Sequence, residues 1–218
     1  MRKAPLIFAI LMFCSISSAQ DAPAVMIKIE VRLQSPDAPL DSVAALPKVM
    51  YRSGSRYCRV EESPDPQSGV HGLAVTNEPD AWVVNLANNT GRHYVDPSPA
   101  LICHLPMFTD EDAVSAKDPS LRILALEFGR ELAFFKNKGA TSKPGPVLQT
   151  KQTTAYELHV GAAVLTLFTY GPAEFPLAVM RQRGDKLETY WYSGYGQVPF
   201  DGKLFAKPDG IKFEDPKP

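Results

Sequence analysis

The amino-acid sequence predicts an α+β fold, mainly antiparallel β, in which one long sheet curls around one or more helices. Three observations predict it: strict alternation of apolar residues in the first strand, turn residues recurring about every ten positions, and one segment with apolar residues at helical spacing. A single amphipathic helix cannot cover both faces of a long sheet. The sheet is therefore expected to curve, with the helix on its concave side.

The first strand is predicted over residues 25–33. Its odd positions, from Val25 to Leu33, are all apolar, and three of the four positions between them are charged. This period of two indicates a strand with one buried face. Ser53-Gly54 marks the turn of a hairpin. The strands of this first half are predicted at residues 48–52, 55–61, 70–76, 81–86 and 91–95.

The helix is predicted to begin at Asp118-Pro119, an N-cap residue followed by a residue suited to the first helical turn. It is predicted to end near Gly139. An ordinary core helix and a helix that plugs a cavity both fit its apolar stripe, which comprises Leu121, Leu124, Phe128, Leu132 and Phe135. Strands are predicted again at residues 154–160, 163–170, 177–183 and 186–193.

The first 19 residues have the features of a cleaved secretory signal peptide. Arg2 and Lys3 precede an apolar run, and small residues lead up to Ala19. Bulky residues before Cys14 disfavour a lipidated cysteine at that position. We therefore expect a periplasmic or secreted protein, with residues 20–218 forming a single domain and no transmembrane segment in the mature chain.

The charge of the mature chain argues against nucleic acid as a partner. Without the signal peptide it has 21 basic and 24 acidic residues, a net charge of −3. Its two cysteines, Cys58 and Cys103, are predicted to form a structural disulfide, since exported proteins favour disulfides. A redox pair is the alternative, but the C-x-x-C spacing is missing.

No motif of catalysis or of metal binding is found. The four histidines lack metal-ligand spacing, and the acidic stretch 109–112 lacks the pattern of a calcium loop. No nucleophile elbow or phosphate-binding loop occurs. We therefore predict a protein that is not an enzyme and that uses no cofactor and no metal.

Three segments resemble one family. They read KVMYRSGSRYCRVE at residues 48–61, WVVNLANNTGRHYV at residues 82–95 and VPFDGKLFAKPDG at residues 198–210. They resemble the LolA/LolB-type lipoprotein-carrier fold, which the sigma-factor regulator RseB shares. The resemblance implies an unclosed half β-barrel wrapped over helices, with an apolar cavity between them that binds acyl chains or lipidated partners.

The leading hypothesis is a monomeric, non-catalytic binding protein for a lipid or a lipidated protein. An aromatic cluster near the end of the chain is either a ligand platform or packing of a sheet face. It comprises Tyr190, Trp191, Tyr192, Tyr195 and Phe200. The residues predicted to line the cavity are Ile27, Ile29, Val31, Leu124, Phe128, Leu165, Leu167 and Trp191. The same residues equally describe a filled core, and the alternative function is an envelope sensor or protein-interaction module.

Overall fold

The computed structural model describes residues 23–35, 45–96 and 126–214. Within these ranges lie twelve strands, one α-helix and a short 3-10 helix at Gly202–Phe205. The helix, α1, spans Glu131–Asn137. The strands are β1 Val25–Gln34, β2 Lys48–Ser53, β3 Tyr57–Glu62, β4 Gly72–Asn77, β5 Asp80–Asn85, β6 Thr90–Val95, β7 Thr141–Leu148, β8 Lys151–Val160, β9 Ala163–Tyr170, β10 Phe175–Arg183, β11 Lys186–Pro199 and β12 Lys212–Glu214.

All twelve strands belong to one open sheet in the order β12-β6-β5-β4-β3-β2-β1-β11-β10-β9-β8-β7. Strands β2 to β6 form a meander on one side of β1. Strands β7 to β11 form a second meander, whose last strand pairs with β1 on the other side. Every pair is antiparallel except β12 with β6, which is parallel. The predicted antiparallel meander is confirmed.

The two faces of the sheet carry different residues. Residues that are paired across neighbouring strands point their side chains to the same face, so the pairing shows which residues lie on which face. We call one face the helix-side face, since α1 packs on it. It carries Ile29, Met50, Val60, Val83, Leu167 and Tyr190. The opposite, tail-side face carries Val75, Trp82, Phe168 and Trp191.

The chain after β11 packs against the tail-side face. Phe205 is fully buried there, and its ring lies 5.2 Å from that of Tyr57 on β3. Ile211 and Phe213 pack on the cluster that contains Val75 and Trp82. Gly91 permits this approach, since a Cβ on it would lie 3.2 Å from the Ile211 side chain.

The predicted fold class is wrong in its balance of helix and strand: the described chain is mostly β, not α+β. Of the predicted helix, residues 118–125 lie outside the described ranges, and α1 begins only at Glu131. Phe128 is buried as the stripe requires, but it lies in a turn, and the buried Leu126 before it is not helical either. Gly129 has a φ of +82°, which is incompatible with a right-handed helix, so the predicted helix does not run through this position.

Two predictions concern residues that the structure does not describe. Residues 1–19, the predicted signal peptide, lie outside the described ranges, and so does Cys103. Cys58 is buried on the helix-side face of β3. The disulfide between Cys58 and Cys103 therefore stays a prediction.

If the disulfide exists, thiol alkylation under denaturing conditions will label neither cysteine until a reductant is added. Reduction is then expected to lower the free energy of unfolding by about 2–4 kcal/mol, because the bond closes a long loop in the unfolded chain. Labelling of both thiols without a reductant, in protein purified from an oxidising compartment, would contradict the pairing.

Candidate functional site

A buried carboxyl group lies where α1 meets the sheet. Glu131, the first residue of α1, has no solvent exposure. Its Oε1 accepts hydrogen bonds from the Tyr192 hydroxyl at 2.9 Å and from the Gly129 backbone N–H at 3.0 Å. Its Oε2 accepts one from the Tyr195 hydroxyl at 3.2 Å. A polar cluster therefore lies within the apolar core.

Burial shifts the pKa of each acidic group in this cluster. It raises the pKa of Glu131, while the hydrogen bonds from Gly129, Tyr192 and Tyr195 act in the opposite direction. Burial, together with the nearby carboxyl group, also raises the pKa of both tyrosines. Because a carboxylate loses its hydration here, the neutral acid is favoured relative to a solvated glutamate.

Arg52 of β2 holds the turn that precedes α1. Its side chain is 2% exposed, and its Nη2 lies 2.5 Å from the Glu127 Oε2. Its Nη1 donates to the Phe128 carbonyl at 2.6 Å, and its Nε donates to the Gly54 carbonyl at 3.0 Å. A buried pair of this kind is costly to break, because removing one partner leaves the other charge uncompensated.

A cavity of about 350 Å³ lies beside this pair, and we call it the arginine pocket. Arg130, whose side chain is 47% exposed, provides a second guanidinium. Its Nη1 lies 3.5 Å from the Glu127 Oε1. The remaining lining residues form a mainly apolar wall with small and polar groups: Val25, Met26, Ile27, Ser53, Gly54, Gly129 and Gln197.

A second, larger depression of about 540 Å³ lies across β3 to β6, and we call it the open groove. The register places most of its lining on the helix-side face. Val83 and Tyr94 are 54% and 47% exposed at its base. Its remaining lining residues, which include the charged side chains of its rim, are Glu62, Val70, Gly72, Val84, Asn85, Thr90, Gly91, Arg92 and Glu214. The helix-side face is thus covered over β8–β11, β1 and β2, and accessible in the described chain over β4–β6.

The structure brings most of the predicted cavity residues together. Ile29, Val31, Phe128, Leu165 and Leu167 belong to one buried cluster, and Ile27 packs against it. Side chains of the segment that contains α1 fill the space above the sheet at these positions: Leu126, Phe128, Phe134 and Phe135. Leu124 lies outside the described residues. That these residues contact a ligand stays a prediction.

Trp191 lies on the opposite side of the sheet from the other predicted cavity residues. It packs with Phe168 and Met180 on the tail-side face, and its Nε1 donates to the Gln34 Oε1 at 2.9 Å. Tyr190 and Tyr192 point to the helix-side face instead. Of the predicted aromatic cluster, it is therefore the tyrosines that reach the candidate site.

Sequence reasoning missed Glu131, Arg52, Arg130 and the open groove. A signal existed for Glu131, which falls between Phe128 and Phe135 in an apolar stripe, where a charge is out of place. A signal also existed for Val83, because the Trp82-Val83-Val84 run puts an apolar residue on each face of β5. Nothing local reveals the role of Arg52, since Glu127 and Phe128, which it binds at the site, follow 75 and 76 positions later.

Three histidines of the described residues lie beside a carboxylate, among them His159, whose Nε2 lies 3.4 Å from the Glu157 Oε1. His93 Nε2 lies 2.7 Å from the Asp80 Oδ1, and His71 Nε2 lies 3.2 Å from the Glu61 Oε1. Within the described ranges, no group of three or more His, Cys, Asp and Glu residues is placed to hold a metal ion. In the same ranges, no helix has the length and apolar character needed to cross a membrane. The prediction that the protein is not an enzyme stays a prediction.

Comparison with known proteins gives a likeness of fold. No protein-family model and no curated protein matches the sequence. Among solved structures, the chain is similar to an uncharacterized conserved protein from Thermus thermophilus. The TM-score is 0.50 at 12% identity, over 88% of this chain and 90% of that one. At this identity the likeness concerns the fold alone.

Two further solved structures are more distant. One is a putative outer membrane lipoprotein-sorting protein domain from Vibrio parahaemolyticus, with a TM-score of 0.31 and 10% identity over 80% of this chain and 85% of that one. The other is PNGF-II, with a TM-score of 0.30 and 9% identity over 88% of this chain and 32% of that one. Neither likeness is close enough to carry an argument about function.

Proposed function

We propose that the protein is a non-catalytic binding protein of the cell envelope, acting in the periplasm or after secretion as a monomer. Its ligand is hydrophobic, either a lipid or the acyl chain of a lipoprotein. The sequence resemblance to lipoprotein carriers and the N-terminal signal-like segment support the compartment and the ligand class. The open groove supports binding.

The open groove is the observation that carries this proposal. Its volume of about 540 Å³ falls within the usual range of small-molecule sites. Val83 and Tyr94 present apolar surface to solvent within the described chain, on the same face that buries the core elsewhere. Charged residues stand around this apolar base, as is common at binding sites.

The proposed ligand position differs from the centre of the predicted cavity. There, Ile29, Leu165 and Leu167 have no solvent exposure. An acyl chain placed over them would have to displace Phe134 and Phe135, which pack in the same cluster. Over β4–β6 no such displacement of described side chains is needed, so the ligand is assigned to the open groove.

Val83→Glu tests this assignment. The variant should bind a fluorescent fatty-acid probe at least about tenfold more weakly than the wild type, because a buried carboxylate opposes an apolar chain. Binding is measured by fluorescence titration. Since Val83 is exposed in the described chain, the melting temperature should change little.

Val147→Glu is the matched control. Val147 is also an exposed strand valine, 62% accessible, but it lies on β7 at the opposite end of the sheet. Its probe affinity should equal that of the wild type. Equal affinities for all three proteins would remove the groove as the binding site, and absence of binding to the wild type would refute the proposed function.

The second candidate function is an envelope sensor or protein-interaction module. The filled core between α1 and the sheet favours it, since a carrier with an enclosed cavity would leave space at Leu165 and Leu167. Native mass spectrometry of protein isolated from its own compartment separates the two functions. A bound lipid mass supports the carrier, and a bound protein mass without lipid supports the module.

A further inference from the structure

We propose that the protein has a second binding site, a polar pocket on the tail-side face that takes an uncharged saccharide. This inference goes beyond the proposed function and does not depend on it. The polar pocket is a cavity of about 460 Å³, within the usual range of small-molecule sites. Six of its lining residues carry the argument: Lys28, Val49, Tyr51, Arg59, Glu61 and His71.

The pairing of β1, β2 and β3 builds the floor of the polar pocket. Lys28, Tyr51 and Arg59 are paired across these three strands, so their side chains point to the same face of the sheet. Val49 and Glu61 form the next row on that face. Because neighbouring strands lie roughly 5 Å apart, an aromatic ring, two cationic groups and a carboxylate share one small area.

The chain after β11 closes one side of the pocket. The buried Phe205 holds the short 3-10 helix against the tail-side face, and Leu204 beside it lines the pocket. The Arg59 Nη1 donates to the Leu204 carbonyl at 3.4 Å. Leu204 and Val49 thus add apolar surface next to the polar groups, a combination that is common in binding sites for small molecules.

Contacts among the polar side chains hold them in place. The Arg59 Nη2 donates to the Glu61 Oε2 at 2.8 Å, and the His71 Nε2 lies 3.2 Å from the Glu61 Oε1. The backbone N–H of His71 donates to the Asn85 Oδ1 at 2.9 Å, which fixes this residue in turn. Side chains that are already ordered lose little conformational freedom when a ligand binds. A guanidinium and a carboxylate also have capacity for further hydrogen bonds.

The charges at the pocket favour a ligand without a net charge. Three ion pairs with N–O distances of 2.7–2.8 Å join them: Lys28 with Glu30, Arg59 with Glu61 and Lys48 with Glu62. An anionic ligand would meet Glu61, and a cationic ligand would meet Arg59. An alkyl chain would remove both groups from water without replacing their hydrogen bonds, which is costly.

Hydroxyl groups match this mixture of donors and acceptors, because each of them both donates and accepts a hydrogen bond. Several hydroxyl groups on one small ring could therefore bind Arg59 and Glu61 together, in bonds strengthened by the charges of the protein. The C–H surface of the same ring would lie on Tyr51 and Val49. A saccharide has both features, so we assign this class of ligand to the polar pocket.

The test is an NMR titration of the isotope-labelled full chain with three uncharged disaccharides: maltose, cellobiose and diacetylchitobiose. At least one of them should shift the amide signals of Tyr51, Glu61 and His71. Two charged analogues, cellobiuronic acid and deacetylated chitobiose, should bind at least about tenfold more weakly than their uncharged counterparts. Absence of these shifts with all three disaccharides, or equally tight binding of a charged analogue, would overturn the inference.

Glu61→Gln should weaken disaccharide binding at least about tenfold, because an amide replaces a charged acceptor. The melting temperature should change little, since the side chain is 36% exposed. Glu157→Gln is the matched control: Glu157 also lies between a cation and a histidine, Lys143 and His159, but on β8. It should bind as the wild type does. Equal weakening in both variants, or none in Glu61→Gln, would contradict binding in the polar pocket.

A competition experiment separates this inference from the proposed function. The disaccharide that binds should leave the fluorescent fatty-acid probe in place, because the polar pocket and the open groove lie on opposite faces of the sheet. Displacement of the probe would overturn the second site and leave the proposed function standing. If the disaccharide binds and the probe does not, the proposed function fails and this inference is supported.

Discussion

Replacing Phe205 with alanine is expected to lower the free energy of unfolding by about 3–5 kcal/mol, the usual cost of removing a buried aromatic side chain. Phe205 is fully buried, and its ring lies 5.2 Å from Tyr57 and 5.5 Å from Phe200. Phe205 holds the chain after β11 on the tail-side face. The cavity left by its truncation would therefore also loosen the packing of Ile211 and Phe213. Urea denaturation followed by tryptophan fluorescence measures the loss.

Leu187→Ala is the control for that measurement. Leu187 is an apolar strand residue of β11 that is 40% exposed, and its truncation should cost under about 1 kcal/mol. If Phe205→Ala cost no more than Leu187→Ala, the segment after β11 would contribute little to the stability of the sheet.

Glu131→Gln is expected to remove a pH dependence of stability. Burial raises the pKa of Glu131 in the folded protein above its ordinary value of 4.5, so the folded state keeps a proton that the unfolded state releases. The contribution of Glu131 to stability is therefore greatest below pH 4.5 and falls as the pH rises to the folded pKa. Within that window each pH unit costs up to about 1.4 kcal/mol.

Glutamine keeps a carbonyl oxygen that accepts hydrogen bonds, and it carries no charge at any pH. The stability of the variant relative to the wild type should accordingly increase as the pH rises above 4.5, measured by denaturation at a series of pH values. If the free energy of unfolding changed equally with pH in both proteins over that range, the result would contradict a raised pKa at this position.

Glu174→Gln provides a control of opposite sign. Hydrogen bonds from Lys136 and Tyr156 lower the pKa of Glu174, so its stabilisation is present above pH 4.5 and is lost as the pH falls through the lowered value. Removing this carboxylate should therefore lower the free energy of unfolding at neutral pH but not in acid. As the pH rises, the stability relative to the wild type should therefore increase in Glu131→Gln and decrease in Glu174→Gln.

The strands were the part of the fold that the sequence predicted best, because alternation reports one buried face directly. Val25 to Leu33 alternate over almost the whole of β1, and the predicted strands 177–183 and 186–193 lie within β10 and β11. Edge strands were harder. Residues 141–148 contain Pro144 and Pro146 and resemble a loop, yet they form β7, where no described strand pairs beyond them.

Sequence reasoning failed where distant segments meet. The stripe around Phe128 has helical spacing, but the buried Arg52 fixes the backbone carbonyl of Phe128 in a turn. Trp191 has the large aromatic side chain expected of a ligand platform. Only its pairing with Ala178 shows which face of the sheet it occupies. The candidate site depends on such long-range pairing, so local periodicity cannot locate it.

The strand order has a consequence for how the polypeptide acquires its structure. Val25 pairs with Pro199 and Gln34 with Thr189, so the central seam joins two distant parts of the chain. Each meander can assemble from hairpins, but this seam must wait for a large loop to close, which slows folding in proteins rich in non-local pairing. Until then β1 presents an unpaired edge, and during synthesis or export that edge is exposed to aggregation.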